Sequence, residues 1–140
     1  MAHVLVVEDD PNLRAVLRSM LEDHGHAVSE AGDGLRALQQ LRASDWPLVV
    51  LLDLNMPVLD GAAVLGAVAG DHSLARRHRY ILVTGSARTL PQALGTLLAC
   101  LEVPLVQKPF DMEALLEMVA LLAHEAPSAA PGTGKFAVFR

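Results

Sequence analysis

The chain has 140 residues, of which 52% are hydrophobic and 19% are charged, and its net charge at neutral pH is −5. This length fits one domain with a substantial core, no apolar run reaches the roughly 18–20 residues that a membrane helix needs, and an acidic balance without a long basic stripe argues against nucleic acid as a direct partner. One cysteine, Cys100, cannot form an internal disulfide, and the N-terminus enters a strand-like run at once, so we predict a cytoplasmic protein.

The first part of the chain alternates short apolar runs with amphipathic stretches. Asp10 before Pro11 is typical of a helix N-terminus, and the apolar residues that follow recur on one helix face until Gly25. The apolar run before Asp53, with turn-forming residues behind it, is typical of a strand buried on both faces. We predict strands over residues 3–7, 27–30 and 49–53, and helices over 11–24 and 35–41.

The second part continues the alternation with weaker helices. Asp60 and Gly61 begin a third helix, and the basic segment 72–79 is interpreted as a polar loop. Residues from 125 on lose all periodicity and are typical of a flexible tail. We predict strands over 80–83 and 104–107, a helix from Leu90 to Leu101, and a last helix capped by Asp111.

Strands that alternate with helices indicate βαβ units, which build a parallel sheet. Because such crossovers are right-handed, we predict a doubly wound α/β domain over residues 2–124, with five strands in the order 2-1-3-4-5, followed by a flexible tail over 125–140. In this order the first and third strands are neighbours where the strand order reverses, which is the place where such sheets bind ligands.

Polar side chains follow the predicted strands at that edge of the sheet. Glu8 and Asp9 follow the first strand, Asp53 ends the third, Thr84 the fourth, and Lys108 follows the fifth. Carboxylates that converge repel one another unless a proton or a cation intervenes, and an oxygen-only ligand set suits Mg²⁺. A metal, an ionised aspartate, a hydroxyl and an ammonium are the components of phosphoryl transfer. The nucleophile would be Asp53, which would form an aspartyl phosphate.

Lys108 is the most informative of these residues. Nine of the eleven basic residues are arginines, so a lysine is the unusual choice here. An ammonium opposite carboxylates suits a single phosphoryl oxygen, and we predict a cis peptide bond to Pro109 after it. Two simpler interpretations stay open: Lys108 is the structural ion-pair partner of Asp53, and Glu8 and Asp10 are solvated turn acids.

The segments VVEDD, LLDLNMP, VTG and QKPF, in this order and at these spacings, resemble the receiver domain of bacterial two-component response regulators. The resemblance covers about residues 2–124 and implies a stand-alone receiver with a flavodoxin-like fold. It implies that a histidine kinase or a phosphotransfer protein phosphorylates Asp53, and that the chain is a phosphoacceptor rather than a turnover enzyme. The resemblance also assigns Thr84 as the switch hydroxyl, Lys108 as the phosphate-binding lysine, and Glu8, Asp9, Asp53 and the backbone carbonyl of Asn55 as Mg²⁺ ligands.

One position departs from that family's pattern. Three residues before its lysine the family usually carries a Tyr or Phe that turns inward on activation, and here the residue is Leu105. A pseudo-receiver that binds partners without phosphorylation therefore stays open. So does a Mg²⁺-dependent phosphatase with an aspartate nucleophile, although such an enzyme would carry a second Asp where Asn55 stands. A flavodoxin-type FMN carrier fits the same fold class, but the acidic first loop would repel the phosphate of FMN.

The sequence also bears on how a signal leaves the domain. Sixteen residues follow residue 124, too few for a DNA-binding or catalytic domain, so we expect docking on a downstream protein or onward transfer of phosphate. The expected output face is the helix from Leu90 to Leu101, the strand around Leu105 and the last helix. The same face is the expected homodimer surface.

Two of the five aromatic residues, Phe136 and Phe139, lie in the tail. We expect this end either to dock on an apolar groove or add an edge strand, or to be an incidental disordered terminus.

Overall fold

The computed structural model describes residues 2–85, 87–124 and 138–139, and it contains one parallel β-sheet. The sheet confirms the predicted strand order 2-1-3-4-5, and a two-residue strand is added beside the fifth. All neighbouring strands are parallel. The strands are β1 (His3–Val7), β2 (Ala27–Ala31), β3 (Val49–Asp53), β4 (Arg79–Thr84), β5 (Leu105–Gln107) and β6 (Val138–Phe139).

Helices alternate with the strands, as the sequence predicts, with one addition. The predicted loop over 72–79 is wrong: six of its residues form a short helix, which Asp71 caps by accepting hydrogen bonds from the Ser73 and Leu74 N–H groups. No helix in the described part of the chain is long and apolar enough to cross a membrane. The helices are α1 (Pro11–Asp23), α2 (Gly34–Ala43), α3 (Gly61–Ala69), α4 (His72–Arg77), α5 (Gln92–Leu101) and α6 (Met112–His124), with one 3-10 turn at Ala87–Thr89.

Aspartates at the ends of loops determine where most helices begin. The carboxylates of Asp10, Asp33 and Asp60 accept hydrogen bonds from backbone N–H groups in the first turn of α1, α2 and α3. Asp111 does the same for α6, as predicted, by accepting from the N–H of Glu113 at 3.0 Å. Such caps satisfy N–H groups that a helix leaves unpaired. The cap also accounts for Asp10, which therefore is not needed as a site residue.

The sheet carries a helical layer on each face, so that its central strand is buried on both sides. Helices α2, α3 and α5 pack on one face, where Val50 and Leu52 of β3 point. Helices α1 and α6 pack on the other, where Val49 and Leu51 point. Every residue of β3 is buried, up to and including Asp53. This burial holds the end of β3 in one place and delivers the Asp53 carboxylate to the edge of the sheet.

Two predicted details of the second half differ from the structure or lie beyond it. The predicted helix from Leu90 begins at Gln92, because Pro91 occupies the position before the first turn. The predicted flexible tail over 125–140 lies outside the described residues, except for strand β6.

Candidate functional site

Three carboxylates lie together at the carboxyl edge of the sheet. Strands β1 and β3 are hydrogen-bonded neighbours with Val7 opposite Leu52, so the residues that follow them meet at one edge. Carboxylate oxygens of Glu8, Asp9 and Asp53 all lie within 4.8 Å of one another. Glu8 and Asp53 are buried, whereas Asp9 is exposed. The structure therefore brings together the three acids that the sequence singles out.

Lys108 reaches the same point from the end of β5. Its Nζ lies 3.1 Å from Glu8 Oε1 and 3.4 Å from Asp53 Oδ1, and the Lys108–Pro109 peptide bond is cis, as predicted. Burial acts to lower the pKa of Lys108, but the hydrogen bond with Glu8 and the charges of Asp53 and Glu8 outweigh it and raise that pKa. The ammonium is therefore a fixed positive charge between two buried carboxylates.

One ammonium does not balance the charges of this site, because three carboxylates lie together there. The pKa of Asp9 is raised, first by its hydrogen bond with Glu8, then by burial and by the negative charge of Glu8. A carboxyl group crowded in this way is stabilised in its ionised form by a nearby cation. The donors at the cluster are carboxylate oxygens, the ligand type that Mg²⁺ prefers. The residues present therefore fit a divalent hard cation bound beside Asp53.

Thr84 and Asn55 are the other two residues that the sequence assigns to this site. Thr84 ends β4 and is fully buried, and its backbone carbonyl accepts a hydrogen bond from the Lys108 N–H at 2.8 Å. This bond ties the ends of β4 and β5 together just below the site. Asn55 is exposed, and its N–H approaches Asp53 Oδ1 at 3.4 Å. The ligand role of the Asn55 carbonyl and the switch role of the Thr84 hydroxyl stay predictions.

Two residues that sequence reasoning did not assign to the site hold its backbone. A Cβ built on Gly61 would lie 2.6 Å from the Asp53 carbonyl oxygen, so only glycine lets α3 begin this close to the end of β3. Arg14 on α1 donates from Nη1 to the Glu8 carbonyl at 2.8 Å, while its Nε pairs with Glu30 at 2.9 Å. The position of Gly61, directly after the Asp60 cap, could have indicated a close contact at the start of this helix. The helix pattern of the sequence contains no feature that predicts the role of Arg14.

Leu105, the position that departs from the resemblance, is part of the core. It is buried in the cluster that faces α5, together with Leu82, Leu94 and Leu98. The Leu105 side chain is already buried, so it cannot rotate from an exposed to a buried position when Asp53 is phosphorylated. The inward rotation that the resemblance implies for an aromatic ring has no equivalent at this position.

Comparisons with known proteins show which family this chain is similar to. The model of the response regulator receiver domain family matches residues 4–120. The chain is 34% identical to the C4-dicarboxylate transport transcriptional regulatory protein DctD of Pseudomonas aeruginosa over 83% of this chain and 24% of that protein. It is 36% identical to the response regulator MprA of Mycobacterium tuberculosis over 89% of this chain and 52% of that protein. The chain thus spans about a quarter of the length of the first relative and about half of the length of the second.

Among solved structures, the fold is similar to that of the response regulator TrrA of Thermotoga maritima in complex with Mg²⁺ and BeF. The TM-score is 0.71 and the identity is 27%, with 87% of this chain and 99% of that chain covered. The superposition extends over almost all of the TrrA chain, so the likeness concerns the whole α/β domain rather than a single motif.

Proposed function

This chain belongs to the family of response regulator receiver domains, and from that membership we propose that it is a phosphoacceptor that receives a phosphoryl group on Asp53 in the presence of Mg²⁺. The observation that carries the proposal is the position of the Asp53 carboxylate. It is buried at a strand end, within 4.8 Å of two other carboxylates and 3.4 Å from the Lys108 ammonium. A structural ion pair would need only one acid, whereas phosphoryl transfer uses all of these groups.

The proposed reaction is a nucleophilic substitution at phosphorus. A carboxylate oxygen of Asp53 attacks the donor phosphoryl group, so that an oxygen–phosphorus bond forms. The bond from phosphorus to the donor breaks, and its electron pair leaves with the donor. Lys108, already 3.4 Å from Asp53 Oδ1, is placed to bind a phosphoryl oxygen. Mg²⁺, held by Glu8, Asp9, Asp53 and the Asn55 carbonyl, would neutralise the negative charge of the phosphoryl oxygens.

The proposed partners follow from family membership. A sensor histidine kinase or a phosphotransfer protein would supply the phosphoryl group, and output would occur by docking on a downstream protein, with the chain itself making no direct contact to nucleic acid. Helix α5, strand β5 and helix α6 would form the docking face, because β5 leads directly into Lys108. A homodimer through this face, and a cytoplasmic location, belong to the same proposal.

The proposal is tested by intact-protein mass spectrometry after incubation with acetyl phosphate and Mg²⁺. We expect a mass gain of one phosphoryl group in the wild type and in Asp60→Asn, a matched change at an exposed helix cap that lies outside the carboxylate cluster. We expect no gain in Asp53→Asn or in excess chelator. A gain that persists in Asp53→Asn would show that another residue accepts the phosphoryl group.

Leu105 favours a second candidate, a pseudo-receiver that is not switched by phosphorylation. Its side chain already packs in the core, so a change at Asp53 has no aromatic ring to reposition. The two candidates differ in the response of amide exchange along α5 to phosphorylation. If Asp53 is phosphorylated and exchange along α5 stays the same, the pseudo-receiver is supported. If exchange changes, the switch operates through Thr84 and the loop that follows it.

A further inference from the structure

The outer edge of β5 carries a second feature that the phosphoacceptor site does not use. Strand β5 is three residues long, and strand β6 lies parallel beside it, with Leu105 opposite Val138 and Val106 opposite Phe139. The pairing joins two segments that are more than 30 residues apart in the chain. An edge strand otherwise presents unpaired N–H and C=O groups to any extended segment.

Backbone hydrogen bonds show which groups of β5 face this edge. The Leu82 N–H donates to the Pro104 carbonyl at 3.0 Å, and the Lys108 N–H donates to the Thr84 carbonyl at 2.8 Å. In a parallel pair, alternate residues turn both backbone groups toward the same neighbour. Residues 104, 106 and 108 therefore face β4. The backbone groups of Leu105 and Gln107 face the opposite way, toward β6.

The same alternation orients the backbone of β6. Because Leu105 faces β6 and is paired with Val138, its carbonyl is the acceptor for the N–H of Phe139, the next residue of β6. By the same alternation, the Phe139 carbonyl is the acceptor for the Gln107 N–H. The backbone groups of Val138 point away from the sheet.

We propose that the β5 edge is a strand-addition surface and that its occupant is the strand β6 of the same chain. The observed pairing identifies β6 as the occupant. It docks there because the backbone N–H and C=O groups of Leu105 and Gln107 need hydrogen-bond partners at this edge. The surface adjoins the phosphoacceptor site, since Gln107 directly precedes Lys108. A downstream protein that adds its own extended segment to this edge would have to displace β6.

The shortness of β6 makes this occupant easy to release. Strand β6 pairs with β5 through two residues, fewer than any other strand of the described sheet pairs through. We therefore expect β6 to leave the edge more readily than the other strands of that sheet.

The proposal is tested by residue-resolved amide hydrogen exchange, measured by NMR on the full chain. The amides of Leu105 and Gln107 should be protected, and the Val106 and Lys108 amides, which bond to β4, serve as internal controls for the fold. Phe139→Pro removes the inward N–H donor and should speed exchange at both edge amides by about tenfold or more. The control amides should not change in this variant.

Two matched variants separate the backbone donor from other effects. Phe139→Ala also loses the aromatic side chain but keeps the N–H, and Val138→Pro loses an N–H that points away from the sheet. In both variants the amides of Leu105 and Gln107 should exchange more slowly than in Phe139→Pro. The proposal is wrong if the edge amides are unprotected in the wild type or if the two proline variants behave alike. It is also wrong if protection rises with protein concentration, because a second copy would then supply the strand.

Discussion

Two glycines in the same helix should respond in opposite ways to the same substitution. Gly61 is the first residue of α3, and its missing side chain lets the helix start against the end of β3. A Cβ there would lie 2.6 Å from the Asp53 carbonyl oxygen and 2.9 Å from the Leu54 Cα. Gly66 lies further along the same helix and is exposed, and apart from its chain neighbours and the backbone of its own helix no atom lies within 4 Å of its Cβ position.

The expected magnitudes follow from these contacts. Overpacking a tight contact costs typically about 1–3 kcal/mol, and the neighbours of Gly61 are backbone atoms that no rotamer change can move aside. We therefore expect Gly61→Ala to lower the free energy of unfolding by about 2–3 kcal/mol. Gly66→Ala should raise it by about 0.5–1 kcal/mol, because alanine loses less conformational entropy in a helix interior. The two variants should thus differ by about 3 kcal/mol.

Urea unfolding of the three proteins measures this difference, and the acetyl phosphate reaction reports on the site. Gly61→Ala must shift the backbone that carries Asp53, so we expect slower phosphorylation even under conditions where the variant is fully folded. Gly66→Ala should phosphorylate at the wild-type rate. Equal stability of Gly61→Ala and the wild type would refute the close approach of α3 to β3.

Three further predictions concern other residues. Val58 is β-branched, 79% exposed and has φ +68°, a conformation that costs L-residues about 1–2 kcal/mol. Val58→Asn should therefore raise the free energy of unfolding, measured in urea, by about 1 kcal/mol. The same change at Val16, which is exposed within α1, should not stabilise the protein. His78 is buried, accepts the Leu48 N–H at Nδ1 at 3.0 Å, and burial lowers its pKa below the ordinary value of about 6.5. The neutral form of His78 stabilises the fold above that pH, and this contribution is lost as the pH falls through the lowered pKa. The difference in free energy of unfolding between the wild type and His78→Asn should therefore become smaller on acidification. A difference that becomes larger would mean that the charged form is the stabilising one. Lys108→Ala should leave Mg²⁺ affinity unchanged or tighter in calorimetry, because a competing positive charge is removed, and a large loss of affinity would show that the lysine supports the metal site.

The core of the site can be predicted from the sequence, because it depends on local signals. An apolar run that ends on an acid marks a buried strand end, and this pattern located Glu8, Asp9 and Asp53. Parallel strands share one carboxyl edge, so the strand order alone brings those acids together. Aspartate caps are equally local, since the side chain and the N–H groups that it binds are two or three residues apart.

Other features depend on distances between elements, which no local pattern contains. The 3.1 Å contact between Lys108 and Glu8 joins residues 100 positions apart in the chain. It depends on how β5 pairs with β4 in the sheet. The bond from Arg14 to the Glu8 carbonyl and the tight approach of Gly61 to Asp53 depend on where α1 and α3 settle on the sheet. Helix α4 was missed because its six residues are too few to show a period.

The sequence by itself thus determined the strand order, the helix starts at Asp10, Asp60 and Asp111, and the chemistry offered at the sheet edge, because periodicity and caps act between near neighbours in the chain. Only the tertiary structure decided which backbone groups hold that chemistry in place, that Leu105 is a core residue, and that β6 lies on the edge of β5. These outcomes depend on the packing of elements that are distant in sequence, where a small shift of one element against another makes or removes a contact.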